Sequence, residues 1–221
     1  MQLIRSLDKL ELSPHYLEKY LKVRQSLLEN HSMIEVTDFG KGSKFFTSNQ
    51  RKVSSIAKVA GISKKNGEQL IKFVHQFQPQ HILEIGTSLG LGTSCLSLGN
   101  PNADIISLEG CPETATVATS LLQESGLTNI EIKIGEFEKT LPEVTEKRKF
   151  DLIYFDGNHS YEATNRYVEI CLKTKTPHTI WIFDDINWSK GMNLFWQEFK
   201  RKSIIKNYYE NWNWGVVRLD G

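Results

Sequence analysis

The chain has 221 residues, 39% of them hydrophobic and 24% charged, and carries a net charge of +1. This is an ordinary globular composition, long enough for one α/β domain or two small ones with a proper core. A charge so close to zero argues against a general polyanion binder, because phosphate affinity needs several clustered cations. Lys147-Arg148-Lys149 and Lys200-Arg201-Lys202 read as solvated helix ends. No apolar run approaches bilayer length, and Met1–Asp8 lacks the apolar core of a signal peptide. Cys95, Cys111 and Cys171 are odd in number and scattered, which suggests neither a disulfide framework nor a zinc site. They read as reduced thiols in a cytoplasmic protein.

Up to about residue 75 the patterns are helical, with no early strand. Ser13-Pro14 opens a helix whose Tyr16, Leu17, Tyr20, Leu21, Val23 and Leu27 recur at helical spacing. A polar loop, Asp38 to Lys44, follows, then a short helix at Val53–Val59 broken by Gly61. Asn66-Gly67-Glu68-Gln69 leads into another helix through Leu70–Val74. Residues 1–62 are expected to form a helical cap or lid over one edge of the sheet and the ligand mouth.

From His81 strands and helices alternate. Strands are predicted at Ile82–Ile85, Asp104–Leu108, Ile130–Ile134, Leu152–Phe155 and Thr179–Phe183, with helices near 92–99, 112–126, 138–147, 160–173 and 190–202. Such alternation predicts βαβ crossovers and a doubly wound, mostly parallel sheet buried on both faces. Ile204–Tyr209 and Gly215–Leu219, joined by a polar-aromatic turn, predict a terminal antiparallel hairpin.

The stretch His81–Ser94 organises the rest. Its apolar run embeds one carboxylate, Glu84, and is followed by Gly86, Gly90 and Gly92 and a helix start. Glycine suits a sharp strand-to-helix turn where a ligand approaches backbone, and the helix start adds unpaired N–H groups. The pattern predicts a nucleotide-cofactor cradle at the end of the first parallel strand. Glu109 ends the second strand, 19 residues beyond Gly90, where an acid can accept both hydroxyls of a ribose. Gly135-Glu136-Phe137 ends the third, placing Glu136 near an adenine amino group and Phe137 near its ring. Asp156 follows the fourth strand and Asp184-Asp185 the fifth, so three carboxylates are expected beside the cofactor. Crowded anions must be neutralised, protonated or bound to a cation, and hard oxygens suit Mg²⁺. His159 lies three residues past Asp156, placed to take a proton near neutral pH. Trp188 is a candidate wall of the acceptor pocket.

With these residues in place, the chain resembles the class I S-adenosylmethionine-dependent methyltransferases over roughly residues 63–219. In pattern it is similar above all to their metal-dependent small-molecule O-methyltransferases. The resemblance rests on Leu83-Glu84-Ile85-Gly86-Thr87-Ser88-Leu89-Gly90, on Glu109, on Gly135-Glu136 with Leu141-Pro142-Glu143, and on Asp156 with Asp184-Asp185. It implies a Rossmann-like domain at 63–221 that binds S-adenosylmethionine through Glu84, Gly86, Thr87, Ser88, Gly90, Glu109 and Glu136. It also implies Gly67, in the pre-strand helix, beside the methionine end. Mg²⁺ would be held by Asp156, Asp184 and Asp185, with Asp156 and His159 catalytic. Catechol-type members carry lysine where His159 stands, and others an aspartate where Asn158 stands. The implied partner is a small-molecule acceptor, with no nucleic acid and no membrane; a homodimer is the commonest default. Two other classes are weighed. An NAD-type oxidoreductase needs Gly-x-Gly-x-x-Gly and a Tyr-x-x-x-Lys pair, and the chain has neither. A non-catalytic binding module on the same fold would have no need of the carboxylates.

Overall fold

The computed structural model describes residues 10–39, 46–176 and 178–220. Residues 40–44 of the polar, glycine-bearing loop lie outside them. In chain order the elements are α1 (Pro14–Glu29), β1 (Met33–Glu35), β2 (Gln50–Lys52), α2 (Val53–Val59), α3 (Lys64–Phe77), β3 (His81–Ile85), α4 (Leu91–Gly99), β4 (Asp104–Glu109) and α5 (Pro112–Glu124). They continue with β5 (Ile130–Ile134), α6 (Phe137–Lys147), β6 (Leu152–Phe155), α7 (Tyr161–Cys171), β7 (Ile180–Phe183), α8 (Lys190–Phe199), β8 (Ile205–Glu210) and β9 (Gly215–Leu219).

Seven strands form one sheet in the order β5-β4-β3-β6-β7-β9-β8. Strands β5, β4, β3, β6 and β7 run parallel, whereas β9 pairs antiparallel with both β7 and β8. Chain order reverses at β3, whose neighbours β4 and β6 carry the chain to opposite sides. The crevice beyond the carboxyl ends of these strands is therefore the expected ligand site. Serine side chains start three helices in the same way. Ser63, Ser160 and Ser189 accept the backbone N–H of Asn66, Ala163 and Met192, satisfying donors the helices leave unpaired.

Side-chain alternation along β3 divides the interior. Leu83 and Ile85 join Ile153, Phe155, Trp181 and Phe183 under α6, α7 and α8. Ile82 faces the other way, into a cluster with Leu96 of α4, Leu70, Ile71 and Val74 of α3, and Tyr20, Val23 and Leu27 of α1. That cluster crosses residues 62 and 63 without a break. Tyr20 packs on Gly67, where an added Cβ would stand 2.6 Å from its ring. The Tyr20 hydroxyl and Arg24 guanidinium donate to the Ile62 carbonyl at 2.9 and 2.8 Å. No described helix is long and apolar enough to cross a membrane.

The expectation of no early strand is corrected. β1 and β2 form a separate antiparallel pair, Met33 opposite Lys52 and Glu35 opposite Gln50. Three residues are too few to display strand alternation, and the partner lies 15 residues further on.

Candidate active site

The β3–α4 turn is built by backbone constraint. Gly86 adopts φ +107 and Gly90 φ +85, and Ser88 between them sits at φ +48. The Gly86 and Thr87 N–H groups both donate to the Leu108 carbonyl at 3.0 Å, tying the turn to the end of β4. A Cβ at Gly86 would collide with the Asp156 carbonyl oxygen, so the turn can approach the end of β6 only with glycine there.

Glu109 is aimed by two backbone donors, Ser88 N–H at 2.7 Å and Cys111 N–H at 2.9 Å. Burial raises its pKa, and the two N–H bonds pull back against that rise. Gly86, Ser88, Glu109 and Glu136 all line a cleft of about 700 Å³. Such a volume suits a nucleoside-sized ligand with an acceptor. Glu136 also pairs with Lys139 at 2.9 Å.

Other expected cofactor residues lie beneath the turn. Glu84 is fully buried; Thr93 and Ser107 donate to its Oε2, each at 2.5 Å, while its Oε1 has no hydrogen-bond partner among the described residues. Burial pushes its pKa up to about 7 against the pull of those hydroxyls. Thr87 is buried and bonded to Ser107, and Gly90 backs onto Ala118 and Leu122. Gly67 faces Tyr20; Ser63 and Asn66 present the same helix to the cleft.

Asp156 follows β6, and Asp184-Asp185 follow β7, with Asp185 at φ +53. All three line the cleft with His159. His159 Nε2 lies 3.6 Å from Asp156 Oδ1 and 4.0 Å from Asp185 Oδ2. Tyr154, buried in β6, donates its hydroxyl to Asp184 Oδ2, and Asp184 Oδ1 accepts the Asp185 N–H at 2.8 Å. Burial, then repulsion from Asp184, Asp185 and Glu84, holds Asp156 well above the usual carboxylate range. Burial and Asp185 push Asp184 up to about 7. Among the described residues, no three His, Cys, Asp or Glu side chains are already disposed around a metal position. Trp188 lines the cleft, its ring centroid 6.5 Å from that of His159.

These shifts set a pH dependence for the fold. Native Glu84, Asp156 and Asp184 hold protons more tightly than the same groups in the unfolded chain. Stability is therefore fully present below the ordinary carboxylate pKa, about 4, and falls as pH rises towards 7, where Glu84 and Asp184 ionise. Glu84 alone contributes up to about 3 kcal/mol of this loss. Melting temperatures in EDTA are expected to be lower at pH 8 than at pH 5.5, with a shallower fall in Glu84→Gln. A melting temperature that rises between those values contradicts the assignment.

Sequence reasoning missed part of the cleft wall. Phe39 and Arg51 reach it from the N-terminal segment, and Cys111 and Arg166 from the domain. Arg51 lies over the Phe46 ring at 5.0 Å and 3.8 Å from Asp38; Arg166 pairs with Glu138 at 2.8 Å. None of these side chains belongs to a spaced motif, so nothing in the order of residues marked them.

Residues 83–186 match a family described as a methyltransferase domain. No curated protein matches the chain significantly. Among solved structures, the O-methyltransferase TomG of Streptomyces achromogenes, involved in tomaymycin synthesis and solved with SAM, is 20% identical. That match covers 73% of this chain and 82% of TomG, with a TM-score of 0.64. The Bacillus cereus O-methyltransferase, solved with SAH, is also 20% identical over 98% of this chain and 96% of its own, at 0.64. The SAH-bound methyltransferase PaMTH1 of Podospora anserina is 16% identical over 100% and 94%, at 0.69.

Proposed function

We propose that this chain, a class I S-adenosylmethionine-dependent methyltransferase, methylates a hydroxyl oxygen of a small molecule with the help of a divalent cation. The observation that carries the reading is the meeting of Asp156, Asp184, Asp185 and His159 in the cleft that also holds Gly86 and Glu109. The relatives solved with SAM or SAH support the cofactor, and the N–H-aimed Glu109 suits a ribose diol. The donor set fits a hard cation. Hard oxygens crowd together, and Asp156 and Asp184 both hold protons more tightly than free carboxylates, which a bound dication would reverse. Asp156 and Asp185 face His159, and Asp184 already accepts from Tyr154 and the Asp185 N–H.

When bound, the sulfonium supplies an electrophilic methyl group and the cation lowers the pKa of a neighbouring hydroxyl. His159 takes the acceptor proton, with Asp156 and Asp185 orienting the imidazole and stabilising its charge. Glu109 accepts the ribose hydroxyls and the Gly86 turn admits the ligand to the backbone. Trp188 walls the acceptor side and excludes water. Buried free thiols at Cys95, Cys111 and Cys171 support a cytoplasmic setting.

Calorimetry with S-adenosylhomocysteine tests the cofactor, and transfer to catechol as a probe acceptor tests the cation. Binding is expected with or without EDTA, whereas methyl transfer is expected to fall at least tenfold in EDTA and return with Mg²⁺. Transfer unchanged by EDTA removes the cation from the proposal; absence of binding removes the cofactor.

A further inference from the structure

We propose that Phe39, from the N-terminal segment, is a cofactor-positioning residue that supplies an aromatic platform for the purine, taking the place of a side chain missing at Gly110. The inference rests on the cofactor reading above and assigns a binding role to a part of the chain outside the matched domain.

Glu109, Gly110 and Cys111 form the exit from β4, and all three line the cleft. Gly110 has no side chain to cover whatever Glu109 holds. An ideal Cβ built there would lie 2.7 Å from Phe39 Cδ2 and 3.2 Å from Cε2, so the Phe39 ring occupies the space such a side chain would use. The segment before Phe39 is fixed to the same corner. Thr37 N–H donates to Cys111 Sγ at 3.4 Å, and Cys111 Sγ–H reaches the Glu35 carbonyl at 3.6 Å. Val36, buried, donates its N–H to the Asn49 carbonyl at 2.8 Å. Sequence-distant backbone thus brings an aromatic ring to Gly110 and stops it there.

The ring is not core. Phe39 is 52% exposed, and it lines the cleft. A buried packing residue gains by hiding such a ring; one left open beside a ribose-binding acid gains only when something flat covers it. In a nucleoside the base and the two hydroxyls are carried by one five-membered ring, so a ligand held at Glu109 has its purine within a few ångströms. Base–aromatic stacking needs only a ring face, and every purine offers one. Glu136 and Phe137, just past the end of β5, line the same cleft.

Gly110 makes the idea testable without unfolding the protein. Its φ lies outside the positive range that resists an L side chain, and the first atoms an alanine methyl meets belong to the movable Phe39 ring. Five proteins are compared by calorimetry with S-adenosylhomocysteine and by steady-state kinetics with catechol: wild type, Phe39→Ala, Phe39→Tyr, Gly110→Ala and the double variant Phe39→Ala/Gly110→Ala. Phe39→Ala is expected to weaken binding about tenfold or more and to raise KM for S-adenosylmethionine equally. Its kcat, its KM for catechol and its melting temperature are expected to stay at wild-type values. Phe39→Tyr is expected to bind like wild type. Gly110→Ala is expected to weaken binding by displacing the ring, and to add little in the Phe39→Ala background. Wild-type affinity in Phe39→Ala, or equal losses from Gly110→Ala with and without Phe39, overturns the proposal. Wild-type protein that binds no S-adenosylhomocysteine instead overturns the cofactor reading beneath it.

Discussion

Exchanging Asp156 for asparagine is expected to lower turnover about a thousandfold while raising the melting temperature at pH 8. The two effects share one cause. Asp156 stands among Asp184, Asp185 and Glu84, all of which oppose its ionisation. A neutral amide removes the cost the fold otherwise carries of keeping that carboxyl either ionised beside other anions or protonated at pH 8, which is the trade expected where a site is shaped for chemistry rather than stability. Turnover falls because His159 loses its nearest carboxylate partner, 3.6 Å away, and the proposed cation would lose an oxygen donor. Binding of S-adenosylhomocysteine is expected to persist, since the backbone of Asp156, which the amide does not alter, is what abuts Gly86. Kinetics with catechol and Mg²⁺, melts at pH 8 and calorimetry separate these consequences. An active Asp156→Asn enzyme, or one destabilised at pH 8, contradicts the site as described.

The second large effect belongs to the turn. Gly86→Ala is expected to abolish S-adenosylhomocysteine binding and to destabilise the fold by about 2–4 kcal/mol, through strain at positive φ and displacement of the β6 end. Gly126→Ala is the control. Gly126 also sits at positive φ, +66, but a Cβ there meets no described residue within 4 Å. That change is expected to cost about 1–2 kcal/mol from backbone strain alone and to leave affinity intact. If Gly86→Ala binds like Gly126→Ala, the close approach of turn and Asp156 carbonyl has no part in the site.

Much of this geometry could be read from residue order because a parallel sheet has one functional edge. Each apolar run that ends in a carboxylate, at Glu109, Asp156 or Asp184, delivers that group to the same crevice, and the terminal hairpin announces itself by two strands and a short turn. What could not be read is what packs behind that edge. Glu84 and Ser88 lie in one motif, but only the fold reveals that strand alternation sends Glu84 inward under Thr93 while Ser88 faces the cleft. Gly67 looks the same whether it admits a ligand or a tyrosine ring, and here it admits Tyr20. The β1–β2 pair was invisible for a different reason. Its strands take their conformation from contacts at long sequence separation, Glu35 to Cys111 among them, rather than from local pattern.

The seam between the first sixty residues and the rest is greasy and continuous, with Tyr20 seated on Gly67 and α1 sharing its interior with α3 and α4. An N-terminal arm joined in this way is no interchangeable cassette. Under the proposed function, grafting the corresponding arm of a relative to change the acceptor would also import a new neighbour for Gly110 and a new plug for the hollow at Gly67. Donor-nucleoside affinity and thermal robustness would then shift together with acceptor choice, and an engineer would have to transplant the matching faces of α3 and α4 along with the arm.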